Sequence, residues 1–295
     1  MSIYHIGIAG AGTMGFSMAQ IFASCGYTVT LWNHREEKLN SAREKIEAAG
    51  VTEPITYTTD IHMLADMDLI VENVAENLEV KHAFYRELSE FVSDDTIIAT
   101  NTSGLSINLL AQAVAKPERF LGMHWFNPPH IIPLIEIICS DVTKKEIAQS
   151  IYDLANAIGK KPAIVNRDVP GFAANRLQLA VLREALAMVE DGVITPENID
   201  AVMKYGLGFR WAVLGPLETV DFGGIDIFYH IAEYLIPDLC DSHEIPAKLA
   251  EAYEQGNLGT KTGKGFYDYP GNRVREKTAE RDAKLKKLLD ALYSE

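Results

Sequence analysis

Residues 3–33 read IYHIGIAGAGTMGFSMAQIFASCGYTVTLWN, and their pattern predicts a strand, a glycine turn, a helix and a second strand. An apolar run leads into GAGTMG at 10–15, a helix-like pattern follows, and a second alternating run covers 27–32. In such a strand, turn, helix and strand unit, Gly10 makes the tight turn, Gly12 lets backbone N–H groups approach a pyrophosphate, and Gly15 lets the helix lie close to the strand. An ordinary glycine turn is the alternative. The flanking strand and helix favour a dinucleotide site whose phosphates lie at a helix N-terminus.

The length and composition are typical of a soluble globular protein with two domains. The chain has 295 residues and a formal net charge of -14, which argues against nucleic acid and membrane surfaces as partners because both require basic patches. Its three cysteines are unpatterned, so they predict neither a disulfide framework nor a zinc site, and we expect no metal. No apolar run approaches the length of a membrane span, and the first strand begins too early for a signal peptide. We therefore expect a cytoplasmic protein.

The residue at the end of the second predicted strand bears on the choice between NAD and NADP. An NAD-specific site usually carries an acidic residue there to hold the ribose 2′-hydroxyl, whereas this chain has Asn33. Asn33 removes the repulsion of a 2′-phosphate, and Arg35 supplies a cation. Glu36 and Glu37 lie nearby and would rebuild an NAD site, so the cofactor is NAD or NADP, with a lean towards NADP. Alternatively, these side chains only form the polar entry to the next helix.

Strands and helices alternate through the first half of the chain, which predicts an α/β fold with a doubly wound, Rossmann-type parallel sheet. The predicted strand at 96–100 is nearly all apolar, as a buried parallel strand should be. Ligands of such sheets bind at the carboxyl ends of strands, so Ser103 lies where we expect a substrate. Lys81, on the preceding helix, is either a partner for a cofactor phosphate or ribose, or a solvated helix lysine.

A histidine and an acid in apolar strands are the candidates for proton transfer. Of the eight histidines, only His124 lies in a strand (120–125) that runs into a proline-rich loop. A histidine with satisfied hydrogen bonds in the core is the alternative. Glu136 lies in the next apolar strand, and a carboxylate buried there needs a partner. We expect His124 to be that partner, in an arrangement suited to acid–base catalysis.

The pattern becomes helical after Arg167, which predicts a second, smaller and all-helical domain. The predicted domains are residues 1–167, with the dinucleotide site, and residues 168–295. Thr195 is the expected N-cap of a helix that begins at Pro196, and a long apolar helical region follows at 217–235. A leucine stripe with i, i+3, i+4, i+7 spacing at 285–292 is expected to pack on another surface.

Nearly the whole chain carries motifs that match one known family in order and spacing. They are GAGTMG (10–15), segment 76–81, Asn101-Thr102-Ser103, HWFNP (124–128), Glu136, PGF (170–172) with Asn175, GPL (215–217) and GKGFYDY (263–269). These motifs resemble those of the L-3-hydroxyacyl-CoA dehydrogenases. The resemblance implies an NAD(P)-dependent oxidoreductase that forms a homodimer through its C-terminal helices.

The resemblance also implies roles for individual residues. It makes His124 the acid/base, Glu136 its orienting partner, and Ser103 and Asn175 the groups that hold the reacting oxygen of the substrate. Together with the glycine motif, it implies cofactor contacts for Gly10, Gly12, Thr13, Met14, Gly15, Asn33, Arg35, Glu76, Lys81, Asn101, Ser103 and Asn127.

Two features depart from the acyl-CoA-specific members of that family. Those members carry a longer helical excursion between the second and third strands, part of which touches CoA, whereas only residues 34–54 separate Asn33 from Ile55 here. The stretch GLGFRWA at 206–212 is similar to the branch that acts on small polar acids such as gulonate or carnitine. In that interpretation Arg210 holds a substrate carboxylate. A surface or interface ion pair of Arg210 is the alternative.

We therefore expect hydride transfer between NAD(P) and the C3 hydroxyl or oxo group of a 3-hydroxyacyl substrate. The first candidate for the substrate is a short acyl-CoA such as 3-hydroxybutyryl-CoA, and the alternative is a free 3-hydroxy acid held by Arg210. A third hypothesis is a non-catalytic nucleotide-binding structural protein, like the lens-crystallin relative of this family. The joint presence of His124, Glu136, Ser103 and Asn175 argues against it.

Overall fold

The first half of the chain forms one sheet, which confirms the predicted Rossmann-type α/β fold. The computed structural model describes residues 3–293. The strands are β1 (His5–Ala9), β2 (Thr28–Trp32), β3 (Ile55–Thr58), β4 (Leu69–Glu72), β5 (Ile97–Thr100), β6 (Phe120–Trp125), β7 (Leu134–Cys139) and β8 (Lys161–Val165). Their order is β3-β2-β1-β4-β5-β6-β7-β8. Neighbouring strands are parallel except β6 and β7, which are antiparallel. This reversal was not predicted from the sequence.

Helices cover the sheet and create two separate hydrophobic cores. The helices of this part are α1 (Thr13–Ser24), α2 (Glu36–Ala48), α3 (Leu78–Leu88), α4 (Ile107–Ala111) and α5 (Lys145–Ala157). Side chains from α1, α2 and α5 share one core, and side chains from α3 and α4 share the other. This division is expected of a sheet that is buried on both faces.

The chain divides into two compact units, one that ends at Arg176 and one that begins at Leu177. This division falls nine residues beyond the predicted junction at 167/168. The remaining helices are α6 (Ala174–Glu190), α7 (Pro196–Val202), α8 (Gly208–Trp211), α9 (Pro216–Gly223), α10 (Ile225–Leu235), α11 (Ala247–Glu254) and α12 (Arg273–Tyr293). A π-helical turn, Met203–Leu207, joins α7 to α8. Among the described residues, no helix combines the length and the apolar character that crossing a membrane requires.

Local signals in the second unit were partly correct. Thr195 caps α7 as predicted, because its side chain accepts a hydrogen bond from the backbone N–H of Asn198. The region 217–235 is helical as predicted, and it consists of two helices, α9 and α10. Gly224 has a φ of 94° and separates α9 from α10, and this backbone conformation favours glycine and interrupts a helix.

Candidate active site

His124 and Glu136 face each other across the antiparallel pair of strands. His124 on β6 lies directly opposite Glu136 on β7, so both side chains lie on one face of the sheet. His124 Nδ1 is 2.9 Å from Glu136 Oε2. The two residues are only 3% and 1% exposed. The predicted pairing is therefore confirmed. Because an ionised carboxylate can only accept hydrogen bonds, Nδ1 carries the proton and Nε2 is left to accept one.

Three donors hold Glu136 in its ionised form. Besides His124, the backbone N–H groups of Ala173 and Ala174 donate to Oε1 at 3.0 and 2.8 Å. Burial raises the pKa of Glu136, but the hydrogen bonds from His124 and the two backbone amides outweigh burial and hold the pKa below its usual value. Glu136 therefore remains an acceptor at neutral pH and fixes the orientation of the imidazole.

Aromatic rings border the imidazole of His124. The ring centroids of Phe126 and Phe172 lie 4.4 and 5.7 Å from the centroid of the imidazole. Phe172 is itself buried. These contacts restrict rotation of the imidazole and exclude water from the side of the ring that they cover.

Ser103 and Asn175 lie next to each other. Ser103 follows the carboxyl end of β5, and its backbone oxygen accepts a hydrogen bond of 2.9 Å from Asn175 Nδ2. A side-chain amide has two N–H donors, so one N–H group of Asn175 holds the Ser103 loop and the other is left for a ligand. The structure thus brings these two residues together, and their contact with the reacting oxygen remains a prediction.

Asn101 links the carboxyl ends of three strands. Its Nδ2 donates to Asn73 Oδ1 at 2.9 Å, beyond β4, and its Oδ1 accepts from the backbone N–H of Trp125 at 2.8 Å, on β6. The side chain of Asn101 is therefore largely occupied within the protein. Asn127 lies exposed in the loop that follows β6. The cofactor contacts implied for both residues remain predictions.

Lys81 is buried, so its interpretation as a solvated helix lysine was wrong. It is 1% exposed, and its Nζ lies 2.6 Å from Glu72 Oε1 and 3.3 Å from Glu76 Oε2. A buried ammonium requires such partners because leaving water is costly for an unpaired charge. Glu72, which is fully buried, was not predicted from the sequence to be a functional residue. The signal that identified Glu136, an acid in an apolar strand, also occurs at Glu72 in the strand sequence LIVE.

The glycine turn has the shape that a bound pyrophosphate requires. A Cβ atom on Gly10 would lie 2.5 Å from the backbone oxygen of Asn73, and one on Gly15 would lie 1.8 Å from that of Gly10. These two positions therefore accept only glycine. A Cβ on Gly12 would meet no atom within 4 Å, and no side chain caps the N-terminus of α1, which begins at Thr13. Open space in front of free helix amides fits an anionic group.

A cavity of about 760 Å³ adjoins the glycine turn. Its lining includes Gly10, Gly12, Asn33, Arg35 and Lys38. Asn33 Oδ1 accepts a hydrogen bond of 3.0 Å from the backbone N–H of Arg35, and the Arg35 side chain is 56% exposed. The structure thus places Gly10, Gly12 and the residues at the end of β2 around one cavity. Their contacts with a dinucleotide remain predictions.

Arg210 lies in the second unit, where it is exposed on the short helix α8. The guanidinium group makes no salt bridge with any residue between 3 and 293. Its proposed contact with a substrate carboxylate remains a prediction.

Comparison with known proteins identifies the family. Residues 5–169 match the 3-hydroxyacyl-CoA dehydrogenase NAD binding domain, and residues 171–269 match the C-terminal domain of the same family. The chain belongs to the 3-hydroxyacyl-CoA dehydrogenase family. This confirms the resemblance seen in the sequence motifs. The chain is an oxidoreductase that acts on CH–OH groups, and its N-terminal part is an NAD-binding domain.

Individual members of the 3-hydroxyacyl-CoA dehydrogenase family differ in their similarity to this chain. The 5-formyl-3-hydroxy-2-methylpyridine 4-carboxylate 5-dehydrogenase of Mesorhizobium japonicum is 37% identical, with 96% of each chain covered. A crystal structure of an enzyme of that name, described as an NAD+ dependent dismutase, has a TM-score of 0.93 at 36% identity and covers 99% of both chains. The (S)-3-hydroxybutyryl-CoA dehydrogenase of Ralstonia eutropha has a TM-score of 0.75 at 31% identity, over 92% of this chain and 100% of its own.

Proposed function

We propose that this protein transfers a hydride between NAD(P) and the hydroxyl or oxo group of a small free carboxylic acid. The His124–Glu136 pair carries the proposal. It is a buried imidazole oriented by an ionised acid at the carboxyl end of β6, where ligands of such sheets bind.

In the direction of alcohol oxidation, His124 Nε2 takes the proton of the substrate hydroxyl. Glu136 stabilises the imidazolium that forms, without accepting the proton itself. Residues that line the cavity beside the glycine turn, among them Gly10, Gly12 and Asn33, would hold a nicotinamide cofactor, whose chemistry would be to take up the hydride. In the reductive direction, Ser103 and the free N–H of Asn175 polarise the substrate carbonyl, and His124 returns the proton.

Two observations favour a free acid over a CoA thioester. The chain passes from β2 to β3 through the single helix α2, so it lacks, among the described residues, the longer excursion that the resemblance connects with CoA contact. The backbone is also more similar to the pyridine carboxylate dehydrogenase than to the 3-hydroxybutyryl-CoA dehydrogenase. This order of candidates reverses the one expected from the sequence, in which the acyl-CoA came first.

A short acyl-CoA is the second candidate, because the 3-hydroxybutyryl-CoA dehydrogenase is similar over its whole length. The test compares kcat/KM for acetoacetate, acetoacetyl-CoA and 5-formyl-3-hydroxy-2-methylpyridine 4-carboxylate. We expect a free acid to exceed the thioester by about tenfold or more, as expected when a site binds one substrate group and not the other. A preference for acetoacetyl-CoA would reverse the assignment. Tight cofactor binding without turnover of any substrate in a broad panel would favour the structural protein.

The cofactor proposal is that the cavity takes NAD(H) and also tolerates the 2′-phosphate of NADP(H). Asn33 places no carboxylate at the end of β2, and Arg35 and Lys38 add positive charge to the cavity lining, although Glu87 also lies there. The ratio of kcat/KM for NADPH over NADH tests this proposal. A ratio far below one would contradict it.

The proposed assembly is a homodimer formed through the C-terminal unit. Large apolar side chains are exposed there, with Tyr205 at 82%, Leu217 and Phe222 at 81% and Phe209 at 75%. Among the described residues of this unit, only Leu186 and Thr219 are buried. Exposed apolar surface of this extent needs a cover, and a second copy supplies one. Sedimentation velocity at falling protein concentration tests the dimer, and a monomer at all concentrations would exclude it. A cytoplasmic location remains part of the proposal.

A further inference from the structure

Glu72 is a buried carboxylate with every oxygen engaged. It ends β4, is 0% exposed, and accepts hydrogen bonds at 2.6 Å from both the Val74 N–H and Lys81 Nζ through Oε1. Its Oε2 accepts from Tyr85 Oη at 2.5 Å and from Thr100 Oγ1 at 2.8 Å. Burial, and then the charge of Glu72, raise the pKa of Tyr85 well above its usual value, so Tyr85 remains a donor. Glu72 is thus held as an ionised carboxylate by four hydrogen-bond donors, because fewer donors would leave part of its buried charge unpaired.

The contacts of Glu72 continue through Lys81 to the Ser103 loop. Lys81 Nζ also lies 3.3 Å from Oε2 of Glu76, whose side chain is 48% exposed. Glu76 Oε1 accepts hydrogen bonds from Thr102 Oγ1 at 2.5 Å and from the backbone N–H of Ser103 at 2.9 Å. The amide of Ser103 is thus held by an acid that shares its cation with Glu72.

The two distances show how Lys81 divides its charge. The ammonium is closer to Glu72 than to Glu76, by 2.6 against 3.3 Å. Burial raises the pKa of Glu76, but the Thr102 hydrogen bond and the Lys81 charge outweigh burial and lower it. If Glu72 lost its charge, Glu76 would become the main counter-charge of a buried ammonium. Glu76 would then be drawn inward, away from Thr102 and Ser103.

We propose that Glu72 is a positioning residue for the dehydrogenase reaction, which holds Lys81 so that Glu76 is free to fix the Ser103 loop beside the His124–Glu136 pair. The catalytic consequence rests on the proposed role of Ser103. The effect on the loop itself does not depend on that role.

The test replaces Glu72 with glutamine, which keeps the shape and removes the charge. Amide hydrogen exchange of Ser103, followed by NMR, reports on the Glu76 contact directly. We expect exchange at Ser103 to become about 10- to 100-fold faster, which corresponds to the loss of one hydrogen bond to a charged group. The amide of Ile8 in β1 serves as the internal reference. Leu154→Ala, a truncation in the core on α5, is the control for general loss of stability.

A purely structural role predicts a different result. In that case Glu72→Gln and Leu154→Ala would lower Tm and speed up exchange at Ser103 and Ile8 alike, and the proposal would be overturned. In a Lys81→Gln background, the Glu72 substitution should add little at Ser103, because its effect passes through Lys81. If the effects of the Glu72 and Lys81 substitutions on Ser103 exchange were fully additive, the proposal would also be overturned. If Glu72→Gln does not fold, Glu72→Asp replaces it, because aspartate keeps the charge but is too short to reach Lys81. The exchange rate of the Ser103 amide relative to that of the Ile8 amide then tests the proposal in the same way.

Activity separates this inference from the proposed function. We expect Glu72→Gln to lower kcat about tenfold or more with whichever substrate the wild type turns over, while NADH binding, measured by fluorescence, remains detectable. Fast exchange at Ser103 in Glu72→Gln would support the positioning contact. If the wild type at the same time showed no dehydrogenase activity, the proposed function would be refuted. Normal exchange at Ser103 in an active enzyme would refute the positioning contact alone.

Discussion

Replacing Glu136 with glutamine separates the charge of the buried acid from its shape. In the wild type, one carboxylate oxygen accepts from His124 and the other from the backbone amides of Ala173 and Ala174. Glutamine has a single acceptor oxygen. We expect that oxygen to remain on the two backbone amides, which cannot turn away, so that the NH₂ group faces Nδ1. Nδ1 must then accept, the ring proton moves to Nε2, and His124 can no longer take a proton from the substrate.

The expected effect on turnover is much larger than the effect on stability. Loss of a general base lowers kcat by about 10²- to 10⁴-fold, or roughly 3–5 kcal/mol of transition-state stabilisation. The three hydrogen bonds of residue 136 remain or are replaced in the variant, and only the negative charge of the acceptor is lost. This loss lowers the free energy of unfolding by about 1–3 kcal/mol. A temperature well below Tm therefore isolates the catalytic effect of Glu136.

The pH dependence of stability gives an independent check on the charge of Glu136. Its pKa in the folded protein is below the unfolded value of 4.5, so its charge stabilises the fold above that value. This stabilisation is lost as the pH falls from about 4.5 through the folded pKa. The difference in Tm between wild type and Glu136→Gln should therefore be constant near neutral pH and shrink below about pH 4.5.

The assay measures kcat and KM in both directions at saturating cofactor, together with NADH affinity by fluorescence. Glu90→Gln, which removes the charge of an exposed acid beyond α3, is the matched control and should behave like the wild type. Turnover of Glu136→Gln within about threefold of the wild type would refute the reasoning, because a base of the wrong tautomer cannot sustain it. So would a loss of cofactor affinity that parallels the loss of kcat.

Four further substitutions test the glycine turn, the choice of cofactor and a buried lysine. Gly12→Ala should keep the Tm of the wild type and lose cofactor affinity, since its Cβ enters the open space in which a cofactor is expected. Gly15→Ala should not fold normally, since its Cβ would lie 1.8 Å from the Gly10 oxygen. Equal losses of Tm in the two variants would contradict this prediction. Asn33→Asp should shift the NADPH/NADH ratio of kcat/KM about tenfold towards NADH, because a carboxylate there repels the 2′-phosphate of NADPH. An unchanged ratio would show that Asn33 does not influence the choice of cofactor. Lys160 is buried, and its Nζ donates a hydrogen bond of 2.9 Å to the backbone oxygen of Ile132. Burial lowers the pKa of Lys160 from 10.5 to about 8, so the unfolded chain binds more protons than the folded chain between these values and stability rises with pH there. Lys160→Met should lose that rise, and parallel Tm curves of variant and wild type would show that Lys160 does not cause it.

Local signals were enough to predict the alternation of strands and helices and the glycine turn. Gly10 has a φ of 109°, a Cβ on Gly15 would meet the oxygen of nearby Gly10, and the N-cap at Thr195 depends on a few neighbouring residues. Such features depend on short-range backbone geometry, which a sequence pattern records directly. The need of Glu136 for a partner was also predictable, because an acid in an apolar strand is costly when unpaired.

The tertiary structure alone decided how these side chains meet. His124 lies opposite Glu136 in the antiparallel register of β6 and β7, and strand direction and register depend on pairing between distant segments. The burial of Lys81 likewise depends on Glu72, which lies on a different element and reaches it only after the chain folds. The sequence determined which side chains were available for chemistry. Long-range packing determined the strand directions, distances and burial through which these side chains act, because burial and hydrogen bonding depend on contacts that local patterns do not record.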